Sequence, residues 1–149
     1  MTPRQISLVR ASFVRVEPIA DLAATIFYDR LFALDPALRR LFVQTDMPAQ
    51  RKKLMQTLGV VVANLDRLEG VIPAVEALGR RHGGYGVDPR DYETVGAALL
   101  DTLELGLKPD FTTETRDAWA AAYGLLASVM TGAAAAAEAD ALVGAEAAA

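Results

Sequence analysis

The stretch Leu78–Val87, LGRRHGGYGV, holds the only histidine of the chain. Two arginines precede His82 and a glycine-rich break follows it, so the imidazole stands in the last turn of whatever helix ends there. Upstream, Ile72, Val75, Leu78, Gly79 and His82 recur at spacings of three and four, which places them on one face of a helix from about Val71 to His82. The histidine should therefore point inward. Gly83 and Gly84 are expected to stop the helix as C-terminal caps do.

The same period repeats in both directions. Thr2, Pro3 and Gln5 form a capping-box pattern, so a helix should start at residue 3, with Ile6, Val9, Phe13 and Val16 inward. Pro18 marks a break before IADLAATIFYDRLFAL opens a second helix. Asp35 and Pro36 announce a short segment, ALRRLF, and Pro48 opens a helix with Gln50, Leu54, Thr57, Leu58, Val61 and Leu65 on one face. Asp88 and Pro89 should cap a further helix with Tyr92, Val95, Leu99 and Leu103 inward. The last helix carries Trp119, Tyr123, Leu126 and Met130. Strand signals are nearly absent, and six or seven helices joined by short turns make an all-α domain over residues 1–132. Residues 133–149 are mostly alanine, with high helix propensity and little to bury, so they read as a helical tail that frays.

Composition narrows the function. The chain has 149 residues and a net charge of -4, which disfavours nucleic acid or an anionic membrane as partner, because both need a dense cationic face. It has no cysteine, hence no thiolate metal site and no cysteine nucleophile. No apolar run of about 18 residues is expected and the N-terminus is charged, so a cytoplasmic protein with no membrane segment is expected. A structural zinc site cannot be assembled from one histidine. Neither a GxSxG elbow nor a phosphate loop occurs. Two roles remain for His82. It can complement the helix C-terminus by bonding carbonyls, or it can give one bond to a metal already chelated by a macrocycle, since haem iron asks the protein for little more.

Taken in order, FYDRLFALDPALRRLF, LMQTLG, LEGVIPAVEALGRRHGGYGV, DYETVGAALL and DAWAAAYGLLASVM resemble the bacterial single-domain globins. These are related to flavohaemoglobin haem domains and include globins of acidophilic methane-oxidising bacteria. The resemblance spans nearly all of residues 2–132. It implies a three-over-three globin fold with a C-terminal Ala-rich extension, haem b as cofactor and His82 as the iron ligand. It implies further that Phe42 stacks on the haem, that Tyr28 and Gln50 donate hydrogen bonds to a bound gas, and that Leu54 roofs the ligand site. Val87 and Val95 would be proximal and back-wall contacts, and Lys53 and Arg81 would reach haem propionates. Tyr92 matches a tyrosine that joins a glutamate beneath the proximal histidine. Counting from Trp119, however, Ala134 stands where that glutamate belongs, and Glu138 lies one turn further on.

The function implied is reversible binding of O2, with NO and CO as further ligands, for oxygen transport or storage by a monomer. Two alternatives stay open. One is NO dioxygenation, which would need a separate reductase because neither a flavin domain nor a nicotinamide fingerprint is recognisable here. The other is a haemless globin-fold sensor or adaptor.

Overall fold

A computed structural model describes residues 1–148, with the side chains of residues 1–143. Six α-helices and three short 3-10 segments account for the fold, and no strand occurs among the described residues. Helix α1 (Pro3–Val16) begins as expected: the Thr2 hydroxyl accepts from the Gln5 N–H at 3.1 Å and the Gln5 side-chain oxygen accepts from the Thr2 N–H at 2.9 Å. A 3-10 turn around Pro18 (Glu17–Ile19) leads into α2 (Ala20–Leu34). The Asp35 carboxylate accepts from the Ala37 N–H and caps a 3-10 segment, Pro36–Phe42. Asp46 does the same for α3 (Met47–Ala63), accepting from the Ala49 N–H. A single turn, Leu68–Gly70, precedes α4 (Ile72–Gly84), and α5 (Asp91–Leu107) and α6 (Thr113–Ala148) complete the chain.

The helices stack as two layers, α1, α3 and α4 over α2, α5 and α6, which is the three-over-three arrangement. Helix α4 lies along α6, α2 crosses α5, and α1 packs on α6. Helix α3 is held by α2 and α1, with no comparable packing against α4. The core between the layers contains Val9, Phe13, Phe27, Leu31, Leu99, Leu103 and Trp119. Trp119 satisfies its indole N–H by donating to Ser12 Oγ at 2.8 Å, so burying the ring leaves no polar group unpaired. Two glycines allow the close approaches. A Cβ on Gly79 would lie 2.4 Å from the Met130 carbonyl oxygen, and one on Gly96 would lie 2.9 Å from the Tyr123 ring.

Four expectations need correction. Gly83 and Gly84 do not stop α4 but form its last residues, and the left-handed position is Gly86, at φ 87°. Helix α5 begins at Asp91 with Arg90 at its N-cap rather than directly behind an Asp88–Pro89 cap, and the buried Asp91 carboxylate turns back to accept from the Asp88 N–H at 2.8 Å. No structural break falls at residue 132: α6 runs on unbroken and Ala133 is buried. Beyond Ala137 the side chains through Val143 are exposed. Finally, no charge stands between Asp117 and Glu138, and the helical stretch Thr113–Val143, whose most apolar 18-residue window has a mean hydropathy of 1.5, is long and apolar enough to cross a membrane by length and composition. Alanine is the cause. It raises hydropathy without needing burial, and only 17% of the most apolar window is buried.

Candidate functional site

The site is set by how α4 ends. The Val87 N–H donates to the His82 carbonyl at 3.1 Å and the Gly86 N–H to the Gly83 carbonyl at 3.1 Å. With Gly86 left-handed, these two bonds are a Schellman closure, in which the residue after the glycine folds back onto the last turn. The closure brings Val87 beside His82, and both line the same pocket. His82 is half-buried, and its Nδ1 stands 2.8 Å from the Leu78 carbonyl oxygen. A carbonyl can only accept, so Nδ1 carries the proton and Nε2 keeps a free lone pair. The imidazole thus fills the first of the two roles its position suggested and keeps one nitrogen unspent. It bonds a carbonyl of its own helix, and it presents a basic nitrogen.

The pocket encloses about 140 Å3. Of the residues singled out from the sequence, His82, Leu54, Val87, Tyr92 and Val95 line it. Phe27, Thr57, Leu58, Leu78, Leu99, Tyr123, Leu126 and Met130 complete the wall, and the lining is almost wholly apolar. Phe27 was not singled out. Its signal lay in the helical spacing Ala23, Phe27, Leu31, which marks an inward face of the second helix. Leu78 matters through its carbonyl, which no side-chain pattern reveals.

Tyr28, Gln50 and Phe42 form a second group adjoining the pocket rather than its enclosed wall. Gln50 Nε2 donates to the Tyr28 hydroxyl oxygen at 3.0 Å. The Tyr28 ring meets Phe27 edge-on at 5.0 Å and Phe42 at 5.5 Å between centroids, and Phe42 packs on Phe32 at 5.4 Å. Phe27 therefore joins the group to the pocket. Burial pushes the Tyr28 phenol above its ordinary range, with the Gln50 hydrogen bond pulling slightly the other way, so the proton stays on at neutral pH. Lys53 and Arg81 are exposed, each one residue before a pocket residue, and neither lines the pocket.

Behind His82, Tyr123 donates its hydroxyl to the Tyr92 carbonyl at 2.6 Å, and burial raises the Tyr123 phenol strongly. The Tyr92 hydroxyl is buried and has no hydrogen-bond partner among the described residues. Ala134 faces Gly83, whose Cβ, if present, would sit 3.0 Å from the Ala134 Cβ. Ala134, Tyr92 and Glu138 border a groove of about 460 Å3, but Glu138 does not accept from the Tyr92 hydroxyl.

No group of three or more His, Cys, Asp or Glu side chains among the described residues could hold a metal ion. A metal at this site must therefore bring most of its own ligands. A macrocyclic chelate fits that donor set: one imidazole with Nε2 free, apolar walls and aromatic rings on one side. The enclosed 140 Å3 is below the roughly 300 Å3 of ordinary ligand pockets, so a macrocycle must part the walls. The packing allows this, because α3 and α4 are anchored to different helices.

The sequence pattern described as Globin matches residues 25–130. The chain is 30% identical to a flavohemoprotein of Vibrio cholerae over 132 residues, and 30% identical to one of Bacillus subtilis over 131 residues. Each match covers 87% of this chain and 33% of the relative, so the chain spans about a third of the length of these flavohemoproteins. Its fold superposes on a bacterial globin from Campylobacter jejuni with a TM-score of 0.82 at 24% identity, covering 92% of this chain and 99% of that one. With the pattern matched across most of the helices that build the pocket, the chain belongs to the globin family.

Proposed function

We propose that this globin holds haem b between α3 and α4 with His82 as the iron ligand, and that it binds O2 reversibly, with CO and NO as further ligands. The observation that carries the reading is the His82 Nδ1 to Leu78 carbonyl bond at 2.8 Å. It fixes the tautomer and ring orientation, as partners of ligating histidines generally do. Bound there, haem iron supplies the open coordination position at which a diatomic gas is taken up.

The chain's own residues do the rest. Leu54, Val95 and Leu99 exclude water, which strengthens any hydrogen bond made inside. The Tyr28 oxygen already accepts from Gln50, so its proton is the one left to donate to a polar guest. Such a donor at Tyr28 would favour O2, the guest better able to accept a hydrogen bond, over CO. Phe42 would stack on the macrocycle, and Lys53 and Arg81, both exposed, would meet its carboxylates at the surface.

Purified protein reconstituted with haemin should show a sharp Soret band that His82→Ala loses or broadens. Exogenous imidazole should restore it. A variant spectrum identical to the parent without imidazole would remove His82 from the site, and failure of the parent to bind haemin would end the reading.

The similarity to flavohemoproteins favours one second reading, the conversion of NO and O2 to nitrate. Each turnover consumes one electron, which a separate reductase would supply. Catalytic NO consumption that depends on added reductase would support this reading, and consumption limited to one equivalent would exclude it.

A further inference from the structure

Val87 and Tyr92 line the His82 pocket and also the groove of about 460 Å3 between the end of α4 and α6, a volume in the range of small-molecule sites. The layout of the groove follows from how the two helices meet. A Cβ on Gly79 would meet Met130 and one on Gly83 would meet Ala134, so α4 and α6 advance side by side in the same direction. Arg80 therefore stands level with Thr131. Glu138 stands level with Val87, just past the C-terminus of α4, and its backbone lies about 10 Å from that of Arg80 along the helix axis.

The groove is charged at both ends and apolar between them. Arg80 and Glu138 line it, and both are exposed. Neither makes an ion pair among the described residues, with each other or, for Arg80, with Glu76 one turn before it. The Glu138 carboxylate adds to the negative end of the α4 dipole, where a cation is the favoured neighbour. Ala134, Ala135 and Ala137 floor the space between the two charges, and Gly83 and Gly84 offer bare backbone on the other side.

We propose that this groove binds a short ω-amino carboxylate, with its carboxylate on the Arg80 guanidinium, its ammonium group on the Glu138 carboxylate and its methylene chain over the alanines. A guanidinium takes a carboxylate through two parallel hydrogen bonds. The alanine methyls give the chain an apolar bed without filling the groove. Glycine carries its two charges too close together to reach both ends. The site is separate from the haem reading and does not depend on it.

The probe is ε-aminocaproate, with caproate and hexylamine as its two halves and glycine as the zwitterion that is too short. Titrated into the isotope-labelled full chain at low ionic strength, ε-aminocaproate should shift the amide resonances of Gly83 and Gly84 saturably, with a Kd of about 1 mM. Each half should bind roughly tenfold more weakly, since it makes only one of the two charged contacts. Glycine should give no saturable shift. Arg80→Gln should abolish the preference for the probe over hexylamine, and Glu138→Gln the preference over caproate. Both side chains are exposed, so neither change should move the thermal midpoint.

The absence of a saturable shift at Gly83 and Gly84 would overturn the site. Binding of caproate or hexylamine as tight as that of the probe would overturn its bipolar character, as would parent-like binding by both variants. The same titration run before and after reconstitution with haemin keeps the two readings apart. A chain that binds the probe but not haemin would sink the haem reading alone, and a chain that binds haemin but not the probe would sink this one alone.

Discussion

Gln50 donates its amide N–H to the Tyr28 hydroxyl oxygen at 3.0 Å, tying α3 to α2 at the edge of the His82 pocket. The direction of that bond matters. A phenol whose oxygen already accepts has its own proton free, and burial keeps that proton in place. Tyr28→Phe should therefore speed O2 release ten- to hundredfold, a loss of about 1.4–2.8 kcal/mol, with a much smaller effect on CO. Gln50→Leu should act in the same sense but more weakly, since the hydroxyl remains and loses only its orientation. Stopped-flow displacement of O2 and CO checks both, and equal effects on the two gases would point to a steric cause instead.

At the α4–α6 crossing, Gly79 is pressed against the backbone of Met130. Backbone cannot swing aside as a flexible side chain can, so Gly79→Ala must push the helices apart. The expected cost is about 1–3 kcal/mol, as for other overpacked sites. Because Gly79 lies one turn from His82 on the same face, haem affinity should fall together with the urea midpoint. An unchanged midpoint would mean that the crossing is looser than described.

Gly86 adopts φ 87°, where a side chain is strained. Gly86→Ala should cost about 1 kcal/mol and should loosen the closure that brings Val87 to His82. Thermal unfolding reads the first effect. The width of the Soret band reads the second, since a less constrained imidazole gives a mixture of ligand geometries.

Tyr92 carries a buried hydroxyl with no hydrogen-bond partner among the described residues. Tyr92→Phe keeps the ring and removes the unsatisfied group, so stability should hold or rise by about 1 kcal/mol; a loss of that size would reveal a partner for the hydroxyl. Ala134 lines the adjoining groove with Tyr92. Ala134→Glu should give the hydroxyl an acceptor and add negative charge behind His82, raising the iron–histidine stretching frequency in resonance Raman spectra. The parent should lie in the oxygen-carrier range.

Burial raises the phenols of Tyr28, Tyr92 and Tyr123. A raised phenol binds its proton more tightly in the folded chain, so its contribution is fully present below the ordinary tyrosine pKa and is lost as pH rises through the folded value. Stability should be insensitive to these groups at neutral pH. Above about pH 10 it should fall by up to about 1.4 kcal/mol per pH unit for each such tyrosine. Denaturation midpoints between neutral and alkaline pH, followed with phenolate absorbance, test this, and a flat profile would show that the rings are solvated.

The sequence by itself determined the helical architecture and the family. Helix periodicity, the Thr2–Gln5 box and the capping residues before Pro36 and Pro48 are local features, carried by side chains within a turn of the backbone they satisfy. The inward aim of His82 was legible for the same reason, because a helix face is fixed by spacing alone. Where α4 ends was not. GGYG offers three glycines, and only the bonds of Gly86 and Val87 back to the last turn decide which one turns left-handed.

Tertiary packing likewise decided what the site residues do to one another. Leu54, Val87, Tyr92 and Val95 come from α3, the α4–α5 turn and α5, and no local rule brings them around one imidazole. The Gln50–Tyr28 bond joins residues 22 positions apart, and the orphaned Tyr92 hydroxyl is defined by what fails to reach it. Such facts depend on helix crossings, which are set by close approaches such as Gly79 on Met130. A sequence reading sees a glycine there, but not the backbone against which it rests.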